Sequence, residues 1–386
     1  YMNVNSLGNP ILKSINKQPE SKSGKEVEPK EPDEVILSGE NPADLPASKL
    51  DKLFKHQSVK AMNKVDLHRH IEGSLTPEMV LNIAMKHNIV LPTYDLEALK
   101  PMVQVTKEDK TLIDFLKKFH VLGKLFVSKE AISDITYDVI QEANKDNVKY
   151  LELRFSPSSM AGNPKYGRVL DIRKDVMEGV LEGVKKAASS FDTKVNLTMI
   201  ASRKLGIDSA MDVLNLAKEY RDKGISSVDL AGDEATYGPD EFVPFFLEAE
   251  KSGFYTTGHG AEARGAESAL TLKKDGHVDR VGHGVRIYQN PEIEEKAKKE
   301  HWTLELCPTS NEQTGAVENF SKDNYPFDRY EKEGINVTIN TDDPGVSGIT
   351  LTGENERVMD LYDYSLKKLE EFNLRAIDAA FISDEE

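Results

Sequence analysis

The sequence predicts an α/β fold: a TIM-type (β/α)8 barrel with extra helices between its first two strands and a flexible N-terminal tail. Two observations carry this expectation. Eight short β-rich runs recur from position 64 onward, and helical patterns lie between them. The length of 386 residues suits one barrel of roughly 250 residues or more with additions at its ends and loops.

The runs are Lys64–Leu67, Val148–Phe155, Lys194–Ile200, Ser226–Leu230, Phe254–Thr257, Val278–Gly282, Trp302–Leu306 and Ile335–Asn340. Between the first two, Pro77–His87 reads as a helix. Thr76 is its N-cap and Pro77 its first residue, with Met79, Val80, Ile83 and Ala84 recurring at helical spacing. A longer helical insertion, from about Lys107 to Asn147, fills the rest of that gap. Ile172–Ala187 is the next helix, with Ile172, Val176, Met177, Val180, Leu181 and Val184 on one face. Alternation of this kind favours a parallel barrel over a doubly wound sheet.

Residues 1–55 read differently. From Asn16 to Val35, ten of twenty residues are charged and two are apolar, and six of the 17 prolines precede residue 47. Such a stretch buries too little apolar area to offset its ordering entropy, so a flexible tail is expected, followed by one domain over 56–386. The chain opens at Tyr1 and shows no signal-peptide core. A cytoplasmic location is the favoured expectation, with an exported form as the alternative.

Composition narrows the function. No run approaches the roughly 18 apolar residues of a membrane helix. The net charge of −16 disfavours a nucleic-acid backbone as partner. One cysteine, Cys307, excludes both an intrachain disulfide and a cysteine-ligated zinc cluster, including the cytidine-deaminase type. A small-molecule substrate is the remaining expectation.

Barrels carry their chemistry at the C-terminal ends of the strands. The first strand ends in Asp66-Leu67-His68-Arg69-His70, the fifth in Gly258-His259-Gly260-Ala261-Glu262, the sixth in Val281-Gly282-His283-Gly284 and the eighth in Asn340-Thr341-Asp342-Asp343-Pro344-Gly345. His68 and His70, two apart in a strand, point to one side. With His259 and Asp342 opening into the same mouth, they form a normal donor set for zinc. Asp-Pro-Gly is also a good turn sequence, but its place after a β-branched strand favours a functional reading. Glu262 could be a simple helix N-terminal acid; three residues after a metal ligand, a catalytic carboxyl is the better reading. His56, His87, His120, His277 and His301 sit in helical or loop contexts and read as structural or surface groups.

These motifs, with Leu151-Glu152-Leu153-Arg154-Phe155-Ser156-Pro157 and Asp229-Leu230-Ala231-Gly232-Asp233-Glu234, together resemble the adenosine deaminase family in order from about Lys64 to Ser383. The resemblance implies one Zn2+ per chain on His68, His70, His259 and Asp342. It implies hydrolysis of adenosine and deoxyadenosine to inosine and deoxyinosine plus ammonia, by attack of zinc-bound hydroxide on purine C6. Glu262 would protonate the ring nitrogen beside that carbon, and His283 would orient and help deprotonate the water. Asp343 would bond the imidazole side of the purine and the Gly232 backbone its pyrimidine side. Leu112, Phe115 and Phe119 match the family's apolar lid, although their spacing equally suits an ordinary amphipathic helix. The implied partner is a purine nucleoside, without nucleic acid or membrane span.

Three departures from the family stand out. Its usual His-Ala-Gly-Glu reads His259-Gly260-Ala261-Glu262 here, so Ala261 is expected to be strained if that position takes a positive φ. The acid that meets the ribose is usually Asp; here it is Glu72, as in adenine deaminases. The chain also ends at Glu386, where the family commonly continues its last helix. A deaminase of adenine or another aminopurine, and a non-catalytic nucleoside-binding relative, are therefore the alternatives.

Overall fold

The computed structural model describes residues 46–161 and 174–382. Positions 1–45 of the expected tail, and the first two residues of the expected Ile172–Ala187 helix, lie outside the described residues. The chain divides into two units between Phe54 and Lys55. A helix, Ala47–Ala61, crosses that division and so begins within the segment read as tail.

Eight parallel strands form one sheet in sequence order: β1 Lys64–His70, β2 Val148–Phe155, β3 Lys194–Ser202, β4 Ile225–Ala231, β5 Tyr255–Gly260, β6 Arg280–His283, β7 Thr303–Leu306 and β8 Asn336–Ile339. All eight expected runs are strands. Their C-terminal ends differ most at β1 and β5, which continue through His70 and Gly260 because their backbones keep pairing with the neighbours (His70 with Arg154, Gly260 with His283). The barrel closes between β8 and β1 without a regular ladder. Asp342 supplies a parallel bridge to Arg69, donating its N–H to His68 O at 2.7 Å and accepting His70 N–H at 2.8 Å. Leu67 N–H is taken by the Asn340 side chain at 3.0 Å.

The helices cover the outside. Pro77–Lys86 has the expected cap, Thr76 accepting Met79 N–H at 3.3 Å. Lys174–Ala188 packs Val176, Met177 and Val180 inward. The insertion holds Leu112–Lys117, Phe119–Leu122 and Lys129–Lys145. The apolar core lies between strands and helices, whereas the barrel's interior is ionic. Glu152, Arg154, Asp229, Arg280 and Glu305 are all buried there, joined as Arg280–Glu152, Arg280–Glu305, Arg154–Glu305 and Arg154–Asp229. Buried charges persist only when paired, and each of these is. Among the described residues, no helix is long and apolar enough to cross a membrane.

Candidate metal and active site

The mouth at the strand C-termini brings four predicted residues to one point. His68 Nε2 lies 3.3 Å from His70 Nε2, which lies 3.3 Å from His259 Nε2. Asp342 Oδ1 lies 3.3 Å from His68 Nε2 and 3.2 Å from His70 Nε2. A tetrahedron of ligands about 2.0 Å from a zinc ion has edges of about 3.3 Å, so these separations fit the ion. An irregularity in β1 aids the convergence. From Asp66 to Arg69 it takes one residue more than β2 does from Leu151 to Leu153, a bulge at the site. Gly282 leaves room for the His68 ring, since a Cβ there would meet its Cε1 at 3.2 Å.

The outer partners fix which nitrogens face inward. His68 Nδ1 donates to Glu305 Oε2 at 2.7 Å and His259 Nδ1 to Asp229 Oδ1 at 3.2 Å, leaving each Nε2 lone pair directed at the centre. Arg154 holds both carboxylates, at 2.9 Å and 3.0 Å. Burial alone would raise the Glu305 carboxyl, but Arg154, Arg280 and His68 keep it well below the usual range. Ser310 Oγ donates to Asp342 Oδ2 at 2.7 Å, which leaves Oδ1 for the centre. Burial and Arg154 work against a charged His68, yet its bonds to Asp342 and Glu305 raise it to about 9, while burial lowers His70 to about 4.

His283, at the end of β6, also lies within 4.8 Å of His68, His259 and Asp342, but its tautomer sets it apart. Asn311 Oδ1 accepts Cys307 N–H and the Tyr325 hydroxyl, so its Nδ2 donates to His283 Nδ1 at 3.0 Å. Burial holds this imidazole neutral, far below its ordinary pKa. The proton is then on Nε2, 3.5 Å from Glu262 Oε2 and 3.9 Å from Asp342 Oδ2. A nitrogen protonated in this way offers no lone pair to an ion, whereas His70 Nε2 stands 3.2 Å from Asp342 Oδ1.

Glu262 is buried beside this group and accepts Thr314 Oγ1–H at 3.1 Å. Burial, with Asp342 and Glu234 nearby, raises its carboxyl to about 8. Ala261 takes φ +52°, the strain the exchanged Gly-Ala order anticipates. Gly232 follows β4 with φ +107°, in the region that favours glycine.

Of the other predicted contacts, Glu72 lies beside Asp343. The Asp343 side chain packs directly on Gly73, where any Cβ would collide with it. Its Oδ1 and Glu72 Oε2 are buried with no hydrogen-bond partner in the protein, while Glu72 Oε1 accepts Ser156 N–H at 2.8 Å. Burial raises Glu72 to about 7; burial, Asp342, Glu72 and Glu262 raise Asp343 well above the usual range. Leu112, Phe115 and Phe119 do not share one helix: the first two lie in Leu112–Lys117 and the third in Phe119–Leu122. Phe115 is buried, Leu112 and Phe119 half-buried, and the two rings meet at 6.2 Å.

Sequence reasoning missed the supporting groups Glu305, Ser310, Asn311 and Thr314. A cavity of about 1320 Å³ contains none of the site residues. It lies at the opposite end of the barrel, among Lys64, Tyr150, Asn196 and Tyr255.

The sequence model of the family described as adenosine deaminase matches residues 63–386. An adenosine deaminase of Clostridium botulinum is 33% identical over 331 residues, covering 84% of this chain and 95% of that protein. Among solved structures, the Arabidopsis N6-mAMP deaminase superposes with a TM-score of 0.74 at 25% identity, over 85% of this chain and 96% of that one. An adenine deaminase from Arthrobacter aurescens gives 0.75 at 24% identity, over 84% and 95%. With a match over most of its length and a curated relative covered almost end to end, the chain belongs to the adenosine deaminase family and is a hydrolytic deaminase.

Proposed function

We propose that the protein deaminates adenosine and deoxyadenosine hydrolytically with one zinc ion held by His68, His70, His259 and Asp342, the catalytic unit being residues 56–386. The observation that carries the reading is the set of 3.2–3.3 Å separations among those ligand atoms, with a protonatable Glu262 beside them. The chemistry zinc supplies there is acidification of water to a pKa of about 7.

The residues of the chain do the rest. Glu262, raised to about 8, is a neutral acid near pH 7 and donates its proton to the ring nitrogen next to the reacting carbon. His283 carries its proton on Nε2, so it orients the attacking oxygen by donation; deprotonating water would need that nitrogen bare. Asp343, kept neutral, donates to the imidazole side of the purine, and the Gly232 backbone meets the pyrimidine side. Water adds at C6 and ammonia leaves. Phe115, Phe119 and Leu112 exclude solvent from the base.

The acidic oxygens of Glu72 and Asp343 without a partner in the protein suit ribose hydroxyls and ring nitrogens, which favours a nucleoside. The nearby buried cation, Arg154, is already engaged by Asp229, Glu305 and Leu67 O. The second reading, a deaminase of free adenine, rests on Glu72 standing where adenosine deaminases usually carry Asp. Ultraviolet assays on adenosine, deoxyadenosine, adenine, methylthioadenosine and N6-methyl-AMP, with and without a chelator, test both. Adenosine should be preferred by a large factor; an adenine preference would overturn the nucleoside reading, and metal-independent turnover the zinc site.

A further inference from the structure

The sequence motif ending β4 includes an acid with no role in the chemistry above, Glu234. It is 1% exposed, and its carboxylate is the focus of an entire loop. Oε1 accepts Ala261 N–H at 2.9 Å; Oε2 accepts Glu262 N–H at 3.1 Å, Ala263 N–H at 2.7 Å and Arg264 N–H at 3.1 Å. Ser268 Oγ donates to Oε1 at 2.5 Å, and Arg264 Nε donates to Glu234 O at 2.6 Å. Four consecutive amides converging on one point form an anion-binding nest, and this nest is filled by a side chain of the same protein.

The nest exists because Ala261 is left-handed. Of the nine described non-glycine residues with positive φ, eight are Asn, Asp or His, which tolerate that region; Ala261 is the exception. A Cβ at 260 would meet Leu272 Cδ1 at 2.6 Å in the helix Ala266–Lys274, so a side chain there would require that leucine to shift, while the left-handed position 261 carries the alanine. The bonds to Glu234 offset the strain at that position. They also set the backbone of Glu262, whose side chain reaches Thr314 Oγ1 at 3.1 Å and faces His283 Nε2 at 3.5 Å.

We propose that Glu234 is a positioning residue: it clamps Ala261–Arg264 in the strained conformation that aims Glu262 at the substrate. This rests on the reading of Glu262 as proton donor. The clamp acts through main-chain geometry, so losing it misdirects the acid while the zinc ligands stay in place.

The test uses the full-length, zinc-loaded enzyme. Glu234→Gln should lower kcat by ~100-fold with KM and metal content nearly unchanged. Adding Ala261→Gly should restore about tenfold of the loss, because glycine adopts positive φ unaided. In a Glu262→Gln background, Glu234→Gln should cost less than about threefold, the non-additivity expected of a residue acting through Glu262. Ser268→Ala, which removes one bond from the clamp, should show a smaller kcat loss of the same type and keeps the test open should Glu234→Gln fail to fold. Fully additive losses, lost metal, or no rescue by glycine would overturn the proposal. Amide exchange at Ala261–Arg264 reads the clamp separately from catalysis. It should accelerate in Glu234→Gln or Ser268→Ala, and unchanged protection would overturn the clamp. Full turnover in Glu262→Gln would instead remove the proton-donor reading.

Discussion

Glu305 Oε2 accepts the Nδ1–H of His68 at 2.7 Å, deep in the barrel with both side chains fully buried. That bond decides which imidazole nitrogen is bare, and the same oxygen is held by Arg154 at 2.9 Å. Glu305→Gln should therefore reduce zinc affinity by ~10–100-fold. Competition against a chromophoric chelator measures this directly; an unchanged affinity would show that His68 is oriented by something else.

Glu262→Gln should abolish nearly all turnover while zinc stays bound at one per chain. The amide keeps the size and the bond to Thr314 but has no acidic proton. Metal analysis alongside steady-state kinetics separates the two effects, and turnover within tenfold of wild type would remove Glu262 from the reaction.

Glu72→Ala should raise KM for adenosine by about 10–100-fold, since a buried acceptor for the sugar hydroxyl is lost. The effect on free adenine should be much smaller, because adenine has no sugar. Equal losses on both substrates would mean that Glu72 meets the base.

Stability at alkaline pH should be limited in part by Glu354. Burial raises its carboxyl from 4.5 to about 7, although it accepts Thr309 N–H at 2.8 Å and the Thr309 hydroxyl. The folded state thus holds this proton more tightly than the unfolded chain does. The stability from that proton is complete below pH 4.5 and is lost as pH rises through 7. Glu354→Gln removes the titration, so the variant should gain on wild type by roughly 3 kcal/mol between pH 4.5 and pH 8. Chemical denaturation at both pH values checks this; parallel curves would contradict it.

The framework was legible because it rests on local signals. β-branched runs, the Thr76-Pro77 helix start and histidines at strand ends follow from residue type and spacing alone. The supporting shell was not legible. Asn311 matters only because Cys307 and Tyr325 turn its amide toward His283, and Glu305 only because β7 sets it beneath His68. The segment matched to the family's lid shows the same limit. Its spacing suits an ordinary amphipathic helix, yet the two short helices divide at Lys118, which is 7% exposed, bonding Pro101 O at 3.0 Å and Asp109 at 2.7 Å. A buried cation with two distant partners leaves no trace in periodicity. The Gly260-Ala261 order did leave one: it pointed to strain at Ala261, though its compensation by Glu234 needed the tertiary structure.

The β8–β1 junction would give a metal ion in the proposed site a mechanical duty as well. With few backbone bonds of its own, this hem of the cylinder has His68 and His70 on one side and Asp342 on the other. An ion gripped by all three would act as a rivet through both edges. Chelation should then unfasten the hem, and β1 and β8 amides should exchange faster before any other part of the barrel loosens.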